Sequence, residues 1–431
     1  MPTLYRTPRI GKWLPEDHQA LRLWIGRLVD TVTAPNEIVR SPILPVIVEF
    51  EALIISDPIL KMQFEQMFSQ VPTKPPYNKD PTGLLPQVRD YKTMLRCFNY
   101  IIQTAPHFEP DTGLVGFPIN AIIDWPMGTP AGNAVFLNEK VNAQIKKMLN
   151  TWAKYLASED STSVLNTNEY GWLGPLAMSE MSGFTTEFVC NTAEPHWGFT
   201  SWDDFFTCQF RDGQRPIAYP DNDAVINNAC ESAPFAFATD VAKDAHFWIK
   251  GQPYAVEYML GLRGADLVDQ FVGGTVYQAF LSALSYHRWH SPVNGTIVRT
   301  YIVPGTYYSE ARFAVFDAEA PNDSQGYITE VATRGLIYIQ ADNSDIGLMC
   351  FMAVGMAEVS TCDIQVQVGQ TVKKGDQLGM FHFGGSTHCL MFRKGVNIKQ
   401  VEPYQTPGLD TVNVPLNSAI LVAIPAEETA A

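Results

Sequence analysis

The sequence predicts an α+β fold, with a helical N-terminal region over residues 1–190 and a β-rich domain over residues 191–431. Three observations predict it. Apolar residues recur at helical spacing in the first half, where Leu21, Trp24, Ile25 and Leu28 share a face. Apolar and polar residues alternate over Gly295–Val303 and Leu336–Ala341, and turn residues follow at Pro304-Gly305 and Asp342-Asn343. An apolar run from Ile346 to Ala357 is too short to cross a bilayer as a helix and reads as a fully buried strand.

The elements of the first half follow in order. Glu16–Val32 carries the first helix. Asp57-Pro58 supplies an N-cap and a pre-set first-turn residue for a helix through Phe68. Helices over Tyr91–Thr104 and Asn133–Leu156 come next, the latter with Lys146 and Lys147 on a solvated face. Val71–Pro81 is rich in proline and reads as a linker. There is no metal-ligand spacing and no phosphate-binding loop here, and His18 and His107 read as surface or core histidines. This half is expected to serve as a scaffold, a cap or a dimerisation element, which makes a homodimer one expected assembly.

At 431 residues and 48.0 kDa the chain can bury a full core and hold two domains. Hydrophobic residues at 46% and charged residues at 17% are a globular balance. A net charge of −15 argues against a nucleic-acid partner and gives no support for attraction to an anionic bilayer. Stable membrane insertion is not expected. Met1–Arg6 leads into no apolar signal region, so the Asn294-Gly-Thr sequon is discounted. Seven cysteines, odd in number and without CxxC spacing, point to a reducing compartment, and a cytoplasmic address is expected.

Two stretches carry chemistry. In Tyr286-His-Arg-Trp-His290 the histidines lie three apart; they face opposite ways on a strand and converge on a turn. A metal pair is the competing reading, disfavoured because no further ligands cluster nearby, and no metal is expected. In Gly379-Met-Phe-His-Phe-Gly-Gly-Ser386 two glycines precede a serine whose hydroxyl can attack the carbonyl before it. Alone, that tripeptide is ordinary turn composition. Trp202-Asp-Asp-Phe-Phe206 reads as a helix whose aromatics bury and whose aspartates cap, with no chemistry assigned.

These stretches, with Phe210–Pro216, Ala229-Cys-Glu-Ser232, Phe247–Tyr254 and Phe271–Gly274, resemble the phosphatidylserine decarboxylase family over roughly residues 200–400. Members of that family cut themselves before the serine and convert it to a pyruvoyl group. The resemblance implies cleavage between Gly385 and Ser386, giving chains of 385 and 46 residues (431 − 385) that stay associated. It implies that His290 is the base of self-cleavage, oriented by Glu231, which stands where the family has aspartate. It also gives His287 the role of acid at the substrate, with Thr387 and His388 as pocket residues. Val366–Phe383 is similar to the hammerhead strands of lipoyl and biotinyl carrier domains.

The wording of the motifs looks closest to the fungal pyruvoyl-dependent aromatic amino acid decarboxylases. That likeness implies a free aromatic amino acid as substrate, L-tryptophan giving tryptamine first, with a pyruvoyl group from Ser386 and no pyridoxal phosphate. The alternatives are a phosphatidylserine decarboxylase making phosphatidylethanolamine, and an uncleaved, inactive binding or scaffold homologue.

Overall fold

The computed structural model describes residues 18–34, 42–71, 88–108, 117–244, 254–281, 284–310, 324–359, 361–383, 386–401, 405–408 and 411–425. Most of the Val71–Pro81 linker, most of the Phe247–Tyr254 landmark and both glycines before Ser386 lie outside these residues.

The N-terminal part is helical: α1 (His18–Thr33), α2 (Pro45–Ser56), α3 (Pro58–Ser69), α4 (Tyr91–Ile101), α5 (Pro118–Gly128), α6 (Pro130–Phe136) and α7 (Glu139–Leu156). Asp57 accepts from the N–H groups of Ile59 and Leu60 at 2.9 and 3.2 Å, so α3 starts where the Asp-Pro pair places it. The single helix expected over residues 133–156 is two. Asn138 turns out of the helical region and accepts from the N–H groups of Lys140 and Val141 at 2.9 and 3.3 Å. An asparagine competes for backbone donors, so it caps a helix better than it continues one. Short helices α8 (Pro175–Glu180), α9 (Phe184–Glu187) and α10 (Trp202–Phe206) lead into the strands.

The strands are β1 (Val225–Asn227), β2 (Ala233–Thr239), β3 (Thr275–Leu281), β4 (Arg288–His290), β5 (Gly295–Val303), β6 (Arg334–Ala341) and β7 (Leu348–Gly355). They continue with β8 (Thr361–Ile364), β9 (Thr371–Val372), β10 (Gln377–His382), β11 (Ser386–Phe392), β12 (Ile398–Gln400) and β13 (Ala419–Ala423). The alternating and apolar stretches of the sequence therefore became β5, β6 and β7. Seven strands form one antiparallel sheet in the order β2-β3-β11-β7-β6-β5-β9, and two three-stranded sheets run β1-β13-β12 and β4-β10-β8.

The large sheet is covered on both faces, which is why its central strands are apolar on both sides rather than alternating. On one face Val276, Met352, Val354, Cys389 and Met391 join Met148, Trp152, Trp202 and Phe206 of the helices in a single core. That core runs through both halves of the chain without a break at residue 190. On the other face Tyr277, Phe351, Leu390 and Phe392 pack with Trp289 and Phe381 of the small sheets. β10 belongs to a small sheet and β11 to the large one, so these two consecutive strands lie in different layers. Among the described residues, no helix is long and apolar enough to cross a membrane.

Candidate active site

Ser386 is the first residue of β11, lies opposite Leu281 of β3 and Gly355 of β7, and is fully buried. Its hydroxyl has no hydrogen-bond partner among the described residues. Gly355 carries no side chain, so the neighbouring strand places nothing over that hydroxyl from its own Cβ. Along β11 the side chains alternate. Ser386, His388, Leu390 and Phe392 face the small sheets, while Thr387, Cys389 and Met391 face the helices.

The two histidines diverge. His287, just before β4, is buried with its ring stacked on Phe206 at 4.3 Å between centroids, and its carbonyl accepts from the N–H of Phe381 at 3.0 Å. His290 approaches the Gly375 carbonyl through Nδ1 at 2.6 Å and the Tyr286 hydroxyl through Nε2 at 2.9 Å. A carbonyl only accepts, so the ring proton sits on Nδ1 and Nε2 receives the tyrosine proton. Burial holds the imidazole below its ordinary value, with the Gly375 carbonyl opposing. The result is a neutral ring with a fixed tautomer and a basic Nε2.

Glu231 does not orient His290 by a hydrogen bond among the described residues. Arg215 donates to it from Nε at 3.2 and 3.1 Å and from Nη2 at 2.9 Å, and the Leu416 N–H donates at 2.6 Å. Arg215 also reaches Glu187 at 2.9 Å and lies 4.1 Å over the Phe210 ring. A carboxylate this far from water takes the guanidinium fork in preference to a neutral imidazole, because two charged hydrogen bonds offset its desolvation.

Arg215 and Glu231 form the polar wall of a cleft of about 270 Å³. Its other walls are aromatic: Phe184, Phe188, Trp202, Phe205, Phe206, Phe210 and Tyr286, with Ser285 and Asn413 adding hydroxyl and amide groups. Neither histidine lines the cleft itself; two of its wall residues touch them, Phe206 stacked on His287 and Tyr286 hydrogen-bonded to His290. It also adjoins the β10–β11 link, because Trp202 and Phe206 both pack on Phe383. Arg215, Tyr286 and the aromatics of residues 184–210 escaped the reading of the sequence as site residues. The signal available there was the density of aromatic residues before an Arg-Pro pair.

Thr387 and His388 line other surroundings. Thr387 donates to the Ala279 carbonyl at 2.9 Å and accepts from Gln278 Nε2 at 3.1 Å. His388 is fully buried between Phe351 and Tyr277, with neither ring nitrogen partnered among the described residues, and burial pushes its pKa down to about 3. Of the two aspartates expected to cap α10, Asp204 accepts from the Thr200 N–H at 2.9 Å, whereas Asp203 meets His382 Nδ1 at 3.0 Å. Burial opposes charge on His382, but Asp203, with Asp363 at 3.7 Å, outweighs it and holds the imidazole above its ordinary value. Among the described residues no group of three or more His, Cys, Asp and Glu side chains gathers as a metal site.

Comparison with known proteins gives the arrangement its context. Two family models, both described as phosphatidylserine decarboxylase, match residues 44–181 and 202–411. The L-tryptophan decarboxylase of Psilocybe cubensis is 35% identical over 418 residues, covering 92% of this chain and 91% of that protein. The decarboxylase iboD of Amanita muscaria is 43% identical over 298 residues, 64% of this chain and 84% of the relative. The phosphatidylserine decarboxylase proenzyme 3 of Schizosaccharomyces pombe is 31% identical over 225 residues, 52% of this chain and 22% of the relative. The protein is therefore a decarboxylase, a carbon–carbon lyase, and it belongs to the phosphatidylserine decarboxylase family.

Proposed function

We propose that the chain is a precursor that cuts itself between Gly385 and Ser386 and then decarboxylates a free aromatic L-amino acid, with L-tryptophan the first candidate. The observation that carries the substrate class is the aromatic cleft beside His287 and His290. An indole gains by burying its flat apolar area against such walls. The Psilocybe relative's name, aligned over nine-tenths of both chains, supports the same choice. Seven unpaired cysteines fit a cytoplasmic address.

In the first stage Nε2 of His290 takes the Ser386 hydroxyl proton, and the oxygen attacks the Gly385 carbonyl. The peptide C–N bond breaks as the C–O ester bond forms, and the nitrogen of residue 386 takes up a proton. Loss of the α-proton of residue 386 expels the Gly385 carboxylate. Water then replaces the resulting enamine nitrogen, releasing ammonia and leaving a keto group at position 386. Tyr286 shares its proton with Nε2, so the base is held in one tautomer until it acts.

The residues at position 386 fit a pyruvoyl group. The Ser386 oxygen has no described partner to lose, and Gly355 stands opposite it. When present, that carbonyl supplies an electron sink for the pair left behind as carbon dioxide departs. His287 is the proposed acid that returns a proton to the α-carbon, and its ring stacks on Phe206, a wall of the cleft. The aromatic walls exclude water and hold the side chain, while Arg215 and Glu231 set the polar end.

The test uses the purified protein. Intact mass should show two chains and a keto terminus at 386, and Ser386→Ala should remain one chain of 48.0 kDa without activity. Incubation with L-tryptophan, L-phenylalanine, L-tyrosine or phosphatidylserine micelles should give an arylalkylamine as main product. Phosphatidylethanolamine alone would move the assignment to lipid, and an uncut chain inactive on every substrate would make it a binding or scaffold homologue.

A further inference from the structure

Phe383 is the last described residue before the proposed cleavage site, and its backbone is out of the ordinary. Its φ is +49°, in the left-handed region, although it carries a bulky aromatic side chain. Such a residue costs roughly 1 kcal/mol or more and persists only where its surroundings hold it. Here three aromatic rings hold it, all from the helical layer. The Phe383 ring is buried and meets Trp202 at 4.5 Å and 86°, Trp152 at 4.8 Å and 79°, and Phe206 at 5.8 Å and 72°.

Those rings are themselves anchored. Trp152 of α7 donates its indole N–H to the Thr104 carbonyl at 2.8 Å, and the Trp202 backbone N–H donates to Ser161 Oγ at 2.8 Å. One residue earlier, His382 is tied to Asp203 of the same helix as Trp202 and Phe206. Two consecutive residues at the end of β10 are thus gripped by α7 and α10, while Ser386, three positions on, is fixed in β11 between β3 and β7. The two residues between them in the sequence are glycines.

We propose that Phe383 is a positioning residue for self-cleavage, and that the helical N-terminal half serves maturation by seating it. The inference rests on cleavage at Gly385–Ser386. The Trp152–Trp202 socket fixes where the chain leaves β10, and β11 fixes where Ser386 sits, so the two ends of the segment that is cut are both set by packing. A misplacement of about 1 Å at such a centre costs up to a hundredfold in rate. After cleavage the constraint has no further task, since residue 386 is held by β11 alone. Trp152, which seats Phe383 without lining the cleft, therefore acts on maturation and not on turnover.

The experiment follows cleavage of freshly made protein by denaturing electrophoresis, and then measures decarboxylation per mole of cleaved chain. Phe383→Gly, which relieves the backbone but empties the socket, and Trp152→Ala should each slow cleavage roughly tenfold or more. Trp152→Phe should restore most of the rate. Decarboxylation per cleaved chain should stay within about twofold of the wild type in Trp152→Ala. Hydroxylamine, which cuts esters and leaves amides, should fail to split uncleaved Phe383→Gly, placing the block before the acyl shift. Thermal midpoints identify any variant that is unfolded, in which case Trp152→Leu and Phe383→Leu carry the comparison, each expected to slow cleavage severalfold and to overturn the proposal if it matures at the wild-type rate.

Folded Phe383→Gly and Trp152→Ala proteins that mature at the wild-type rate, or cleaved Trp152→Ala whose turnover falls in step with cleavage, overturn the proposal while leaving self-cleavage intact. A wild-type chain that never splits before residue 386 overturns self-cleavage itself, and this proposal with it.

Discussion

Tyr286 donates its hydroxyl proton to Nε2 of His290 across 2.9 Å, and the Gly375 carbonyl holds the opposite nitrogen at 2.6 Å. His290→Ala should slow cleavage at least about a hundredfold, as expected for loss of a general base. Tyr286→Phe should slow it about fivefold, the equivalent of one hydrogen bond. His287→Ala should cleave normally and lose most of its decarboxylation. Because burial lowers the His290 pKa, its neutral form persists below the ordinary 6.5, so the cleavage rate should stay level as pH falls through 6.5 and drop only at lower pH. Time courses of chain splitting across pH measure this, and a drop centred at or above 6.5 would contradict it.

Arg215 and Glu231 should be coupled. Either Arg215→Met or Glu231→Gln alone strands one partner inside the cleft wall, where the two side chains are 17% and 13% exposed. Each should cost about 1–3 kcal/mol, less than a fully buried pair because some water remains. The double variant should cost less than the sum of the singles by roughly 1 kcal/mol or more. Urea unfolding of all four proteins gives the cycle, and strict additivity would mean that the pair is not an energetic unit. Glu231→Asp should keep the carboxylate but shorten its reach to Arg215 and to the Leu416 N–H.

His388 should set an acid limit on stability. Its folded pKa of about 3 lies below the unfolded value near 6.5, so the unfolded chain binds the extra proton first. The native state keeps this advantage above pH 6.5 and loses it as pH falls toward 3, on the order of 5 kcal/mol in all. His388→Val removes that group from the sheet interior. Its thermal midpoint should match the wild type within a few degrees at pH 8 and exceed it by a growing margin from pH 6 to pH 4.

The two chains should stay together after cleavage. All seven residues of β11 are paired on both sides, with β3 and with β7, and β13 pairs with β1. The 46-residue product carries β11, β12 and β13, while β1, β3 and β7 belong to the larger product (431 − 385 = 46). Native mass and gel filtration should therefore show one species, resolved into two chains only by strong denaturant. Spontaneous separation in buffer would mean that cleavage dismantles the central sheet.

Wherever a physical cause was local, the element could be read directly along the chain. Asp57 and Pro58 start α3 because cap and fixed φ act on the next few residues, and the alternation in residues 295–303 became β5 because period two is a property of one strand. The serine after two glycines and the two histidines three apart could be singled out as candidates for the same reason, since each motif is a short run of neighbouring residues. Where Asn138 divides the helix expected over residues 133–156, two local preferences competed, and the cap outweighed the helical pattern.

What each candidate side chain faces depends on packing between elements remote in sequence. Glu231 meets Arg215 rather than His290, because packing brings a guanidinium to the carboxylate and a buried charge takes the strongest donor available. His290 finds Gly375, and Phe383 finds Trp152 and Trp202, partners remote in the chain that no local spacing encodes. Thr387 and His388 alternate into two different layers, a helical one and a sheet one, because β11 became the strand that both layers cover. The motif names the chemistry, but burial and long-range packing choose its partners, since both depend on which surfaces the folded chain removes from water.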